Sequence, residues 1–194
     1  MLNLDKIIKD YYGIGENIIV PYSKKLTNGK EVNISKYSGL VSVVKRRNSK
    51  KIAEEWSKKI FGKKFSQLQY TSKIPAVIAR HVYVLETMLS ILNLKSKFLC
   101  DFGAGEGEFL KMFLKKKTSS KVFAIEPSKK NCDILKKNRI KNFQGTIEEY
   151  FAKKNNEKFD VVTLMWTLCN TSSCFDVIKC ASELVKKKWL YCCC

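Results

Sequence analysis

The second half of this chain is predicted to fold as an open α/β domain, a parallel sheet with helices on its flanks. Three observations predict it. After Asn93, short apolar runs alternate with lysine-rich amphipathic segments, and strict β–α alternation requires parallel strands joined by right-handed crossovers. One apolar run ends at an acid and then a glycine-rich turn, Asp101-Phe102-Gly103-Ala104-Gly105-Glu106-Gly107. A second such run ends at Glu126, 19 residues after Gly107.

Residues 1–92 read as an amino-terminal extension or cap with a possible hairpin and two helices. The β-prone runs Ile18-Ile19-Val20 and Glu31-Val32-Asn33-Ile34 flank the turn signal Thr27-Asn28-Gly29. From Ser49 the spacing becomes helical, with Ile52, Trp56, Ile60 and Phe61 in phase and Gly62 placed to end the helix. A second helix is expected from Pro75 to Leu92, with Val77, Ile78, Val82, Leu85, Met88 and Leu89 as its apolar stripe.

Residues 93–194 carry the alternation. Strands are expected over 97–101, 121–126, 141–144 and 159–165. Helices are expected over 106–117, 128–138, 147–154 and 175–187. In open sheets of this kind ligands bind beyond the carboxyl ends of the strands, which is where the glycine turn and Glu126 fall.

Composition excludes some classes of function. No run approaches the roughly 20 apolar residues of a membrane span, and residues 1–10 lack the apolar centre of a signal peptide, so a cytoplasmic protein without membrane contact is expected. The formal charge is +19, but only four of the 37 basic residues are arginines. Arginine is the residue that reads phosphates and base edges bidentately. Lysine here accompanies abundant Asn and Ile, a pattern that A/T-rich codons also produce. Nucleic acid is therefore a secondary expectation, resting on the block Lys45-Arg46-Arg47 with Lys50-Lys51. The cysteines at 100, 132, 169, 174 and 180 form no C-x-x-C pair, and they read as small buried hydrophobes rather than metal ligands. His81, the only histidine, reads as structural.

Glycine at 103 and 105 lets the backbone bend tightly and bring its N–H groups against a ligand that any Cβ would hold off. The spacing is G-x-G-x-G, and Glu108 stands where a dinucleotide fingerprint wants Gly or Ala. Glu106 and Glu108 open the following helix, so a pyrophosphate seated there is repelled by two carboxylates, whereas a cation is not. Asp101 is placed to face the ligand or to order the loop. A carboxylate at Glu126 accepts hydrogen bonds from both hydroxyls of a ribose, and Pro127 starts the next turn.

These residues, Asp101, Gly103, Gly105 and Gly107 with Glu126, resemble motifs I and II of class I S-adenosylmethionine (SAM)-dependent methyltransferases. The resemblance covers residues 97–188. It implies a Rossmann-like open parallel sheet and SAM as cofactor. Asp101, Gly103, Ala104, Gly105 and Gly107 would then lie along the methionine end and Glu126 with Pro127 at the ribose. Thr146 and Ile147 would meet the adenine, although the family often has an aspartate at the first of these. Met165 and Trp166 would stand beside the cofactor, and no metal is implied. The helices between Ser49 and Leu92 would shape the acceptor pocket, with Arg80 a candidate partner for the SAM carboxylate. The catalytic base is unknown: His81, Tyr83, Tyr70 and Glu148 stay open.

The family's fold has seven strands, and this chain reaches the fifth. Its last residues read KKKWLYCCC. One adenine inserted into the adenine run of a segment coding for KKNGYIVV, a good turn and strand, gives this string, so the expectation is a frameshift or sequencing slip near Lys188, with a natural short tail bearing a cysteine cluster as the alternative. The leading expectation is a methyltransferase with a small-molecule acceptor. The alternatives are an RNA or protein methyltransferase, an inactive truncated SAM-binding fragment and, most distantly, an NAD enzyme.

Overall fold

The computed structural model describes residues 17–20, 32–36, 39, 41–43, 48–60, 75–92, 97–117, 119–153 and 157–186. These fall into two compact units, 1–47 and 48–194. The first holds a three-stranded antiparallel sheet, β1 (Asn17–Val20), β2 (Val32–Ser35) and β3 (Val41–Val43), with Val20 opposite Val32 and Val32 opposite Val43. The expected pairing of the two β-prone runs is present and a third strand extends it. The turn at Thr27-Asn28-Gly29 lies outside the described residues.

The second unit begins with α1 (Ser49–Ile60) and α2 (Pro75–Ile91). The Asn48 side chain caps α1, accepting from the Lys50 amide at 2.8 Å. Both helices fall with the parallel sheet rather than with the hairpin. Trp56, Ile60, Phe61 and Gly62 lie outside the described side chains. In α2 the inward face differs from the expected stripe. Val84, Leu85 and Met88 are buried, while Ile78 and Val82 are exposed. This helix is apolar nearly all round, so spacing alone left its rotation open, and packing onto the helix after β4 decides it.

Strands β4 (Phe98–Phe102), β5 (Lys121–Glu126), β6 (Lys141–Gln144) and β7 (Val161–Thr163) form a four-stranded parallel sheet in the order β6-β5-β4-β7. The order reverses direction between β4 and its two neighbours, which opens a crevice at their carboxyl ends. The connecting helices are α3 (Glu108–Lys116), α4 (Lys129–Lys137), α5 (Ile147–Phe151) and α6 (Cys174–Leu184), with a 3-10 turn at Leu168–Asn170. The open parallel fold is as expected. Helix α3 starts two residues later than predicted because Gly107, at φ 79°, is its N-cap.

Alternation along the strands feeds two cores. Leu99, Ala124 and Val161 pack under α2 and α3 with Leu85, Met88, Phe109 and Phe113. Cys100, Phe102, Phe123, Ile125 and Val162 face α5 and α6 with Tyr150, Phe159, Val177 and Leu184. Cys169 is the exception among the cysteines expected inside: it is exposed, because the 3-10 turn carries it out of the sheet. Beyond β7, Val185 bridges Phe159 in parallel, with the Phe159 amide donating to Leu184 and the Lys186 amide to Phe159. The helix expected over 175–187 therefore ends at Leu184, where Val185 turns to extended backbone and pairs with Phe159. Residues 187–194, on which the frameshift reading rests, lie outside the described residues.

Candidate functional site

The site grows from the ends of four adjacent strands. After β4 the chain turns through Gly103 at φ 75°, Gly105 at φ 55° and Gly107 at φ 79°, a left-handed region that L side chains rarely adopt. The three glycines do different work. A Cβ on Gly103 would lie 2.3 Å from Thr167 Oγ1, so glycine lets the loop after β7 pack against the loop after β4. The Thr167 hydroxyl reaches Phe102 O at 2.6 Å and ties the two together. A Cβ on Gly107 would lie 2.5 Å from Leu135 Cδ2, which makes this glycine a packing requirement against α4. A Cβ on Gly105 would enter open space.

That space is part of a cavity of about 260 Å³. Its floor is Gly103, Gly105 and Ile125. One side is Glu126, Pro127 and Asn131, continuing to Gly145, Thr146, Ile147 and Glu148. The opposite side is Met165, Trp166, Thr167, Asn170 and Thr171, and Ser49, Ile52 and Ala53 of α1 complete the wall. It adjoins a second volume of about 440 Å³ that shares Ala53, Pro127, Gly145 and Thr146 and reaches Lys50 and Lys129.

Glu126 is the polar centre. It is 5% exposed, with Oε2 accepting from the Gly105 amide at 2.8 Å and Oε1 from the Ser128 amide at 2.9 Å. Burial raises its pKa, and these amide bonds, with the Asn131 side chain, pull it back. Oε1 accepts from two donors, the Ser128 amide and Asn131 Nδ2, and Oε2 from one, so Oε2 keeps a lone pair for a hydroxyl donor. The amide bonds also join the glycine loop to the end of β5. Asp101 behaves differently. It points to the α2/α3 side of the sheet and is buried, and it accepts from the Thr163 hydroxyl at 2.6 Å. Burial lifts its carboxyl to about 7, the Thr163 hydrogen bond opposes the rise, and Glu126 adds to it.

Of the ten residues expected to bind a cofactor, seven line the cavity: Gly103, Gly105, Glu126, Pro127, Thr146, Ile147 and Met165. Asp101, Ala104 and Gly107 do not. Asp101 bridges strands β4 and β7 through Thr163, Ala104 packs against the core under α2, and Gly107 packs on α4. Thr146 also caps α5, accepting from the Glu149 amide while Glu149 accepts from the Thr146 amide.

Six residues carried other expectations. Trp166 lines the cavity at φ 51°, a strained conformation for a bulky residue. Arg80 Cζ stands 5.2 Å from the Trp166 ring centroid and His81 stands 5.6 Å from it, with Phe109 at 5.9 Å from His81. His81 is half-buried, and desolvation lowers its pKa below 6.5 against the pull of Glu108. Glu148 lines the cavity and accepts from the Ser49 hydroxyl at 2.8 Å. Tyr83 is 73% exposed on α2, and Tyr70 lies outside the described residues.

Sequence reasoning missed Ser49, Asn131, Thr167, Asn170 and Thr171. Ser49 joins α1 to the wall through Glu148, the Ser172 hydroxyl at 2.8 Å and the Ser172 amide at 3.0 Å. Asn131 gave a signal that was open to reading: it is polar, yet sits four residues before Leu135 on the buried face of α4.

No curated protein matches the chain. Among solved structures it is similar to the plantazolicin methyltransferase in complex with S-adenosylhomocysteine (SAH), with TM-score 0.55 and 14% identity over 74% of this chain and 57% of that one. It is similar to magnesium protoporphyrin IX methyltransferase from Synechocystis PCC 6803 with bound SAM, with TM-score 0.57 and 12% identity over 74% and 76%. Coclaurine N-methyltransferase bound to N-methylheliamine and SAH matches at TM-score 0.51 and 13% identity over 58% and 35%. The chain thus spans 57% of the length of the plantazolicin enzyme. At these identities the likeness is one of fold. Residues 70–193 match a family described as a methyltransferase domain, which takes in the glycine loop, Glu126 and the loop after β7. The chain belongs to the methyltransferase-domain family.

Proposed function

We propose that this chain is the cofactor-binding part of a SAM-dependent methyltransferase that passes a methyl group to a small-molecule acceptor. The observation that carries the reading is the charge of the cavity. In a chain of +19, the described residues lining it include Glu126 and Glu148 and no lysine or arginine, Lys50 and Lys129 lining the adjoining volume instead. A wall of that sign favours a cationic ligand and disfavours a pyrophosphate. The open space above Gly105 and the acceptor capacity left on Glu126 Oε2 suit an adenosyl group with a sulfonium.

When bound, SAM supplies an electrophilic methyl on that sulfonium. Glu126 would hold the ribose by accepting from a hydroxyl, and Pro127 with Ile147 would offer apolar surface for the adenine. The bend at Gly103 and Gly105 would leave room for the methionine end. With Glu126 at the end of β5 and the glycine bend at the end of β4, the loop after β7 is the next along the sheet. Met165 and Trp166 therefore stand where an acceptor approaches. Holding nucleophile and methyl in line is the main catalytic contribution asked of such a site. Thr167, which stitches that loop to the glycine turn, fixes the spacing.

The small-molecule acceptor is part of the proposal. It is supported by the modest size of the cavity beside α1, about 260 Å³, and by plantazolicin and coclaurine methyltransferases being structures of similar fold. The cytoplasmic setting expected from the sequence belongs to the same proposal. Among the described residues no helix is long and apolar enough to cross a membrane. Calorimetric titration with SAM, SAH and NADH tests the reading. SAM and SAH should bind and NADH should not. Binding of NADH, or silence with both adenosyl ligands, overturns it. Steeply salt-dependent binding of RNA would move the acceptor to nucleic acid.

A further inference from the structure

We infer that Asn131 is a positioning residue for the sugar of the cofactor, acting through Glu126. The inference rests on the cofactor reading above. Asn131 lies in the first turn of α4, is fully buried, and lines the cavity. Its Nδ2 stands 3.4 Å from Glu126 Oε1, the oxygen that also accepts from the Ser128 amide. Its own Oδ1 is buried and has no hydrogen-bond partner among the described residues.

The orphaned oxygen is the informative part. A buried acceptor left unpaired is costly, and native proteins leave few of them. Turning the amide over would place Oδ1 against the carboxylate, acceptor facing acceptor, so the N–H is held toward Glu126 at the expense of the oxygen. A purely structural residue at this place, four before Leu135 on the buried face, would be apolar. Asn131 is therefore retained for what its N–H does to Glu126. It fills the second acceptor direction of Oε1 beside the Ser128 amide and sets the plane of the carboxylate, so that the lone pair left on Oε2 is held in place for a sugar hydroxyl. The Asn131 backbone amide, which donates to the Ser128 hydroxyl as part of the helix cap, is independent of this and survives substitution of the side chain.

A mutant cycle separates positioning from folding. SAH and an analogue lacking both ribose hydroxyls are titrated into the wild type, Asn131→Leu and Asn131→Ala. Leucine keeps the heavy-atom count of asparagine and removes both polar ends, and alanine removes the side chain beyond Cβ. The wild type should lose about tenfold in affinity when the hydroxyls are removed, the scale of a hydrogen bond to a charged group. Both variants should bind SAH about tenfold more weakly, yet bind the deoxygenated analogue within about threefold of the wild type. Asn131→Leu should melt no lower than the wild type, since it removes the orphaned acceptor. Equal losses for the two ligands in either variant overturn the inference while leaving the cofactor reading in place. A wild type that does not distinguish the two ligands overturns the sugar role of Glu126, and this inference with it.

Discussion

Asp101 offers the sharpest test of how this site is built. Its carboxyl is buried at the junction of β4 and β7 and is raised from 3.8 to about 7. A carboxyl whose folded value lies above its unfolded one stays protonated longer in the folded state. Its contribution to stability is intact below 3.8 and declines as pH rises toward about 7. Over that window the slope approaches about 1.4 kcal/mol per pH unit, so the loss between about pH 5 and about pH 8 is ~2–3 kcal/mol. Asp101→Asn abolishes that titration and keeps an oxygen to accept from the Thr163 hydroxyl. The new amide N–H₂ has to find a partner, which offsets part of the gain by ~1–3 kcal/mol. The readout is therefore the slope and not the absolute stability. Urea unfolding from about pH 5 to about pH 8 should show the wild type losing stability through this window and Asp101→Asn running flatter by ~2–3 kcal/mol. Glu126, itself raised by burial, contributes a decline of the same sign in both proteins, so the difference between them isolates Asp101. Parallel profiles would refute the placement of an ionisable carboxyl in that core.

The same carboxyl links stability to the ligand, because a sulfonium in the cavity favours its ionised form. The affinity of SAM relative to SAH, which lacks the positive charge, should rise as pH passes through about 7, and the rise should vanish in Asp101→Asn; isothermal titration at several pH values reads it. Gly105→Ala and Gly107→Ala should fail in different ways. The first places a methyl in the open cradle and weakens SAH binding at least tenfold, with a stability cost of ~1–2 kcal/mol from its φ. The second drives a methyl into Leu135 and lowers stability by ~1–3 kcal/mol, with SAH affinity of the folded protein nearly unchanged. Glu126→Gln should cost SAH about tenfold or more in affinity, and the deoxygenated analogue much less. Ser49→Ala removes the hydroxyl that joins α1 to Glu148 and Ser172, and stopped-flow displacement should show SAH leaving several-fold faster.

What was legible in the sequence is what local rules govern. β5 and β6 have the expected bounds, because each apolar run is closed by a cap or turn residue that acts over three or four positions. Ser128 caps α4 and Thr146 caps α5. Glu126 is legible for the same reason, as the acid that ends a strand behind a glycine turn. The wall formed by α1 is not, since Ser49 meets Glu148 and Ser172 across 99 and 123 residues and nothing near Ser49 marks the encounter. Asp101 shows a finer limit. It sits at the carboxyl end of β4, where ligands bind, but a strand alternates its faces, and position 101 shares the side of Leu99 under α2 and α3. Spacing reports how far along the strand a residue lies, while the pleat decides whether it faces the cavity or the core. The glycines divide by a related rule. All three need a positive φ, so sequence alone groups them. Only the neighbours assembled around each separate Gly105, which opens onto the cavity, from Gly103, which lines the cavity and also makes room for Thr167, and from Gly107, which makes room for Leu135 away from it. A glycine motif of this kind combines open cradle with packing. Substitutions across it should therefore sort by the atom each new Cβ meets, rather than by distance from the presumed ligand.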